Sequence, residues 1–200
     1  QEERVDYDKL ILSPGAQPVL PPIPGGESDR VFTLRNLADT DAIKEAVDSA
    51  GQNRAIIVGG GYIGLELAEA FRHRGMDVTL VELADQVMAP VDPEMAATLH
   101  QQLKLHGVDL RLGTSAKRFD EKGNGLEVTL STGETLNCAL AVLAVGVRPE
   151  ADLARDAGLD IGELGGIKVD PHMRTSDPDI YAVGDAVEVT DFVFEQPALI

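Results

Sequence analysis

Residues 55–66 read AIIVGGGYIGLE, and this stretch decides the fold. A short apolar run comes first, three glycines and then Gly64 follow, and a helical pattern begins at the same point. The spacing of Gly59, Gly61 and Gly64 is the G-x-G-x-x-G pattern, which is weak evidence alone but stronger between a strand and a helix. The sequence therefore predicts a strand, a tight phosphate-binding turn and a helix.

A second strand completes a βαβ unit over residues 55–82. The helical spacing places apolar side chains on one face, namely Ile63, Leu67, Ala70 and Phe71, and Gly75 ends the helix. Residues 77–82 read DVTLVE, which predicts a strand. Because two parallel strands need a crossover helix, about 30 residues is the length expected for such a unit.

Each glycine has its own expected role in binding a dinucleotide. Gly59 allows the tight turn, Gly61 lets the backbone approach a pyrophosphate, and Gly64 lets the helix pack closely on the strand. Glu82, at the end of the second strand, can accept hydrogen bonds from the adenosine ribose and would repel a 2′-phosphate. Residues 83–86 contain no Arg or Lys. We therefore expect NADH rather than NADPH; the alternatives are a turn without a ligand and a solvated Glu82.

Further patterns extend the α/β interpretation along the chain. Helices are expected at residues 39–50, capped by Gly51, and from Pro93 to Gly107, with Met95, Leu99, Leu103 and His106 on one face. Proline-rich residues 14–26 are typical of a crossover linker. Strands are expected at 7–13, 109–111, 116–120, 126–130, 135–137 and 139–145. The four strands from 109 to 137 are expected to form an antiparallel meander, and residues 146–149 to end the last strand sharply.

Composition limits the functional classes. The chain has 200 residues, 44% of them hydrophobic and only 4% aromatic, which suits an α/β core of aliphatic side chains. A formal charge of −17 repels nucleic acid and anionic lipid, so neither is an expected partner. With one cysteine and no apolar run of membrane-spanning length, we expect a cytoplasmic protein. Both chain ends look cut, as in an internal fragment of a larger protein.

Three motifs in order carry a family resemblance. They are GGGYIGLE at 59–66, LAVGVRP at 143–149 and TSDPDIYAVGDA at 175–186. Together they resemble the FAD-dependent pyridine nucleotide-disulfide oxidoreductases. Within that family, residues 184–189 and 196–200 are similar to coenzyme A-disulfide reductases, NADH oxidases and persulfide reductases.

The resemblance implies a split FAD-binding domain with a Rossmann-type NAD-binding domain inserted into it. Residues 1–34 would end the first FAD segment and form the crossover, 35–148 would be a doubly wound parallel NAD(H) domain with a small antiparallel meander, and 149–200 would be the second FAD segment, leading into a dimerisation domain. Ser13 and Gly15 would belong to the FAD site, as would Gly184 and Asp185, whose carboxylate would accept a hydrogen bond from a ribityl hydroxyl.

The resemblance also suggests roles beside the nicotinamide. Glu66, taken alone, is a solvated helix residue, since it shares a face with Tyr62, Glu69 and His73. In the family this glutamate lies near the meeting point of nicotinamide and flavin, and Tyr62 or Ile63 would line or gate that pocket. Gly146 joins the expected NAD-binding residues.

The expected enzyme passes hydride from NADH to FAD and then to a disulfide, a persulfide or oxygen, as a homodimer. Cys138 is predicted to be a buried structural thiol and not the redox cysteine, and the histidines show no metal-binding spacing. The resemblance implies a redox cysteine in the first part of the FAD domain, which is not included here, so we expect this chain alone to be inactive. No second glycine fingerprint is present for FAD, so we also expect it to purify without a yellow chromophore. The alternatives are a rubredoxin- or ferredoxin-reductase-type flavoprotein and a non-catalytic dinucleotide sensor.

Overall fold

The computed structural model describes residues 3–50 and 53–199. In this part of the chain there are four helices, α1 (Leu37–Asp48), α2 (Tyr62–His73), α3 (Pro93–Leu105) and α4 (Asp152–Asp156). The strands are β1 (Leu10–Leu12), β2 (Ala16–Pro18), β3 (Val31–Phe32), β4 (Arg54–Val58), β5 (Asp77–Val81), β6 (Val108–Arg111), β7 (Ala116–Lys122), β8 (Gly125–Leu130), β9 (Thr135–Cys138), β10 (Leu140–Leu143), β11 (Val147–Pro149), β12 (Ile167–Lys168), β13 (Ile180–Ala182), β14 (Val187–Thr190) and β15 (Pro197–Leu199).

The chain divides into two compact units, one formed by Pro18–Gly146 and the other by Gln1–Gln17 with Val147–Ile200. The first unit is built on a five-stranded sheet of order β3-β10-β4-β5-β6. All of its neighbouring strands are parallel. Strand β10 lies between β3 and β4, so a late segment of the chain completes the middle of the sheet.

Alternation along the strands gives the sheet two different coverings. In β4, Ala55 and Ile57 face a core shared with α1, α2 and α3, whereas Ile56 and Val58 face the other side. On that side the antiparallel sheet β7-β8-β9 packs, with Phe119 among its buried side chains. These four residues, 55–58, are buried because both faces are covered, which is why their sequence is a continuous apolar run, whereas Arg54 at the start of β4 is exposed.

The second unit contains short strand pairs and α4. β1 pairs in parallel with β13, β2 lies beside β11, and β14 pairs with both β12 and β15. Its core is a separate cluster of buried aliphatic residues, which includes Ile167, Ile180 and Val187. The two units thus have hydrophobic cores of their own.

The α/β class, the parallel Rossmann-type sheet and the antiparallel meander are confirmed. One predicted assignment is wrong, and two short strands were not expected. β6 joins the parallel sheet instead of the meander, because its partner is β5. The segment after Gly146 ends the preceding strand as expected and then forms β11. The partner of β11 is β2, which lies within the proline-rich stretch expected to be a linker.

The predictions of which side chains α2 and α3 bury were also wrong at one alanine and one methionine. Ala68 is buried and Ala70 exposed in α2, and in α3 Ala96 is buried while Met95 is exposed. The helix face is set by the sheet beneath it, and alanine carries too little apolar surface to reveal that face in the sequence. The predicted cap Gly51 lies outside the described residues. No helix in the described part of the chain has the length and apolar character needed to span a membrane.

Candidate dinucleotide-binding site

The glycine loop connects β4 to α2 and leaves no room for side chains at two of its positions. Gly59 has φ +114°, and a Cβ there would overlap the carbonyl oxygen of Ala144, just after β10. A Cβ on Gly64, in the first turn of α2, would overlap the carbonyl oxygen of Gly59. Glycine at 59 and 64 therefore lets strand, turn and helix approach each other at backbone distance.

Gly61 differs from these two because the space beside it is open. An added Cβ would meet nothing within 4 Å, and the residue has ordinary extended backbone angles, φ −80° and ψ −170°. Gly61 is the N-cap of α2, and no side chain caps this end of the helix. The first-turn N–H groups are thus not satisfied by a capping side chain, an arrangement suited to an anion.

Glu82 directs its carboxylate to the backbone of the glycine loop. Oε2 accepts a hydrogen bond from the Gly60 N–H at 2.6 Å, and Oε1 accepts one from the Ala84 N–H at 2.7 Å. The side chain is half-buried. The sequence placed Glu82 at the correct strand end, and the structure brings it to the glycine loop.

Two residues next to this loop were missed by sequence reasoning. The Met88 N–H donates to the Gly60 carbonyl at 2.9 Å, and Val87 is fully buried. A Cβ on Gly60 would lie 2.9 Å from Val87 Cγ1. The peptide groups on both sides of Gly60 are therefore fixed, one by Glu82 and the other by Met88. Backbone contacts of this kind have no residue-type signature.

The other residues expected at the NAD site have different surroundings. Tyr62 is 70% exposed, Glu66 is also exposed one turn later, and Ile63 packs against the hydrophobic core. Gly146 has φ +109° with open space beside it, and it follows the Ala144 carbonyl that lies against Gly59. Tyr62 and Glu66 can therefore reach a ligand, whereas Ile63 is partly committed to packing.

The residues expected to hold FAD lie at the carboxyl ends of two adjacent parallel strands in the second unit. Leu12 pairs with Ala182, and the Val183 N–H donates to the Leu12 carbonyl at 3.0 Å. Ser13 follows one strand end, while Gly184 and Asp185 follow the other. Gly184 has φ +76° and open space beside it, and Asp185 is exposed. Ligands of α/β proteins bind at such strand ends, so these residues fit a flavin site.

The remaining chemical groups have structural surroundings. Cys138 is completely buried, and this burial raises the pKa of its thiol to about 12. The prediction of a structural thiol is consistent with this environment, since the thiolate is the reactive form. Within residues 3–50 and 53–199, no three histidine, cysteine or carboxylate side chains are grouped as metal ligands.

Comparison with known proteins gives consistent matches along almost the whole chain. Residues 1–199 match the model of the pyridine nucleotide-disulphide oxidoreductase family. An NADH oxidase of Methanocaldococcus jannaschii is 38% identical over 99% of this chain. The match spans 44% of that relative's own length, so the chain corresponds to less than half of it.

Solved structures agree with the sequence matches. The reduced CoADR-RHD of Bacillus anthracis, a coenzyme A-disulfide reductase, is 49% identical with a TM-score of 0.91, over 97% of this chain and 35% of that one. The water-forming NADH oxidase of Lactobacillus brevis, solved with NADH bound, is 37% identical with a TM-score of 0.89, over 98% and 43%. On the strength of the family match, the chain belongs to the pyridine nucleotide-disulphide oxidoreductase family.

Proposed function

We propose that this chain is the NAD(H)-binding portion of a flavin-dependent oxidoreductase, together with parts of its FAD-binding domain. The whole enzyme would oxidise NADH and pass the electrons through FAD to a disulfide, a persulfide or oxygen. Family membership supports the reaction class, and the glycine loop supports the cofactor. The proposed domain limits are those expected from the sequence, with residues 35–148 as the NAD(H) domain.

The observation that carries the proposal is the contrast among the loop glycines. Gly59 and Gly64 are required by contacts within the protein, but nothing in the protein occupies the space beside Gly61. A pyrophosphate at this helix end would receive N–H hydrogen bonds and the partial positive charge of α2. The absence of a Cβ at Gly61 is explained by such a ligand.

Glu82 would select NADH. Its carboxylate lies at the Gly60 N–H, so ribose hydroxyls entering beside the loop would find a charged acceptor. A 2′-phosphate would instead place negative charge next to negative charge, and residues 83–86 supply no compensating cation. Gly146, Tyr62 and Ile63 complete the proposed NAD-binding set.

In the second unit, Ser13, Gly15, Gly184 and Asp185 would hold part of FAD. The flavin, when bound, supplies the two-electron acceptor for NADH. Asp185 would accept a hydrogen bond from a ribityl hydroxyl, and the backbone at Gly15 and Gly184 would allow close approach of the cofactor. Glu66 would lie on the nicotinamide side and help to orient the ring.

Cys138 does not take part in this chemistry, because its buried thiol with a raised pKa remains protonated at neutral pH. The redox cysteine of a disulfide or persulfide reductase would lie elsewhere in the whole protein. The electron acceptor and a homodimeric assembly are likewise proposals for the whole protein.

The decisive experiment is a titration of the purified chain with NADH and NADPH, followed by nicotinamide fluorescence. We expect saturable binding of NADH and binding of NADPH at least about tenfold weaker, a difference of about 1.4 kcal/mol. Tighter binding of NADPH would contradict the role of Glu82. If neither NADH nor NADPH binds, the proposed function is contradicted.

A further inference from the structure

Residues 86–91 form a short segment that fixes one side of the glycine loop. Its Met88 N–H bonds the Gly60 carbonyl, and the Val87 side chain is buried against Gly60. The segment also closes on itself, because the Val91 N–H donates to the Met88 carbonyl at 2.9 Å and the Gln86 side chain donates to the Val91 carbonyl at 2.8 Å.

The backbone in this segment is strained at Met88. This residue is buried and has φ +52°, in the left-handed region that side chains with a Cβ rarely adopt. Such a conformation persists only where the surroundings determine it. The contacts on both sides of Met88 must therefore hold it in place.

His100, in the middle of α3, provides a contact from outside the segment. Its Nε2 accepts a hydrogen bond from the Val87 N–H at 3.2 Å, and the ring is half-buried. A backbone N–H can only donate, so this ring nitrogen carries no proton in the bonded form. The bond ties the residue before the strained Met88 to a helix that lies outside the nucleotide loop.

We propose that His100 is a positioning residue for dinucleotide binding, an inference that rests on the proposed function. By holding the Val87 N–H, His100 keeps Met88 in its left-handed conformation. Met88 in turn orients the Gly60 carbonyl, and with it the peptide that leads into Gly61. The imidazole acts at a distance from the ligand, through two successive hydrogen bonds, His100 with the Val87 N–H and the Met88 N–H with the Gly60 carbonyl.

Two amide substitutions test this inference. In His100→Gln the side-chain amide reaches to where Nε2 lies and keeps an acceptor for Val87, whereas in His100→Asn the amide ends near the Nδ1 position and leaves Val87 without one. His73→Asn, at the exposed last residue of α2, is the matched control for introducing asparagine into a helix. The measurements are the Kd for NADH and for ADP-ribose, the melting temperature, and the amide exchange of Val87 and Met88, whose N–H groups make the two hydrogen bonds of this route.

We expect His100→Asn to raise both Kd values about tenfold and His100→Gln to stay within about threefold of the wild-type chain. Amide exchange at Val87 and Met88 should accelerate in the asparagine variant only, and His73→Asn should bind like wild type. Equal Kd values for both His100 variants, whether near the wild-type value or equally raised, would overturn this inference but leave the proposed function standing. A wild-type chain that fails to bind NADH would overturn the proposed function, and this inference with it.

Discussion

Replacing Gly61 with alanine separates the ligand role of the glycine loop from its packing role. The new Cβ meets no protein atom within 4 Å, and the backbone angles of Gly61 suit alanine. Alanine reduces the entropy of the unfolded chain but is a poorer N-cap than glycine, so we expect stability to change by less than about 1 kcal/mol. Binding of NADH should nevertheless weaken at least about tenfold, because the methyl group occupies the proposed approach of the pyrophosphate.

Gly64→Ala is the matched control for a methyl group that clashes within the protein. Its Cβ would overlap the Gly59 carbonyl oxygen, and overpacking of this kind costs about 1–3 kcal/mol. In a chain of this length that loss lowers the melting temperature by about 2–4 °C per kcal/mol. The assay is thermal unfolding of both variants together with NADH titration. If Gly61→Ala binds NADH as tightly as the wild-type chain, the assignment of Gly61 to the pyrophosphate is wrong.

Three further predictions concern carboxylates and the thiol. Glu82→Gln should weaken NADH binding about tenfold and NADPH binding less, since a hydrogen bond to a charged acceptor contributes about 1.5–3 kcal/mol. Titration with both nucleotides measures this, and an unchanged preference for NADH would count against the role of Glu82. Cys138 should resist a thiol reagent in the native chain and react fully in guanidinium, and rapid labelling of the native chain would refute its assignment as a buried structural thiol. Because burial raises the pKa of this thiol from 9.0 to about 12, the free energy of unfolding should fall as pH rises between these two values. Hydrogen bonds from the Arg174 and His172 N–H groups lower the pKa of Asp170. Asp170→Asn should therefore melt at a lower temperature than the wild-type chain at neutral pH, and this difference should shrink as pH falls through the lowered pKa. A difference in melting temperature that does not depend on pH would contradict this prediction.

The βαβ unit was predictable because its information is local. The apolar run of β4, the glycine loop and the amphipathic pattern of α2 each lie within a few residues, and each specifies its own backbone. Strand order was less accessible, since β10 is inserted between β3 and β4 from far along the chain. β6 was misassigned for the same reason: its sequence shows a strand but does not name the neighbour.

The candidate site divides in the same way. Residue type and position led to the prediction of the loop glycines and Glu82, because the roles proposed for them require a missing side chain or a carboxylate. Met88 contacts the loop, and His100 contacts Val87, through one hydrogen bond each in which a backbone N–H is the donor. Many residue types can accept or donate such a bond, so neither was visible in the sequence.

The ends of the Pro18–Gly146 unit lie next to each other. The Val19 N–H donates to the Gly146 carbonyl at 2.9 Å, which joins the beginning and the end of this unit. A segment whose termini meet can be transplanted, because a host chain needs only a small gap to receive it. The chain therefore enters and leaves the Pro18–Gly146 unit at two neighbouring points, as expected of a unit that can be inserted into another chain.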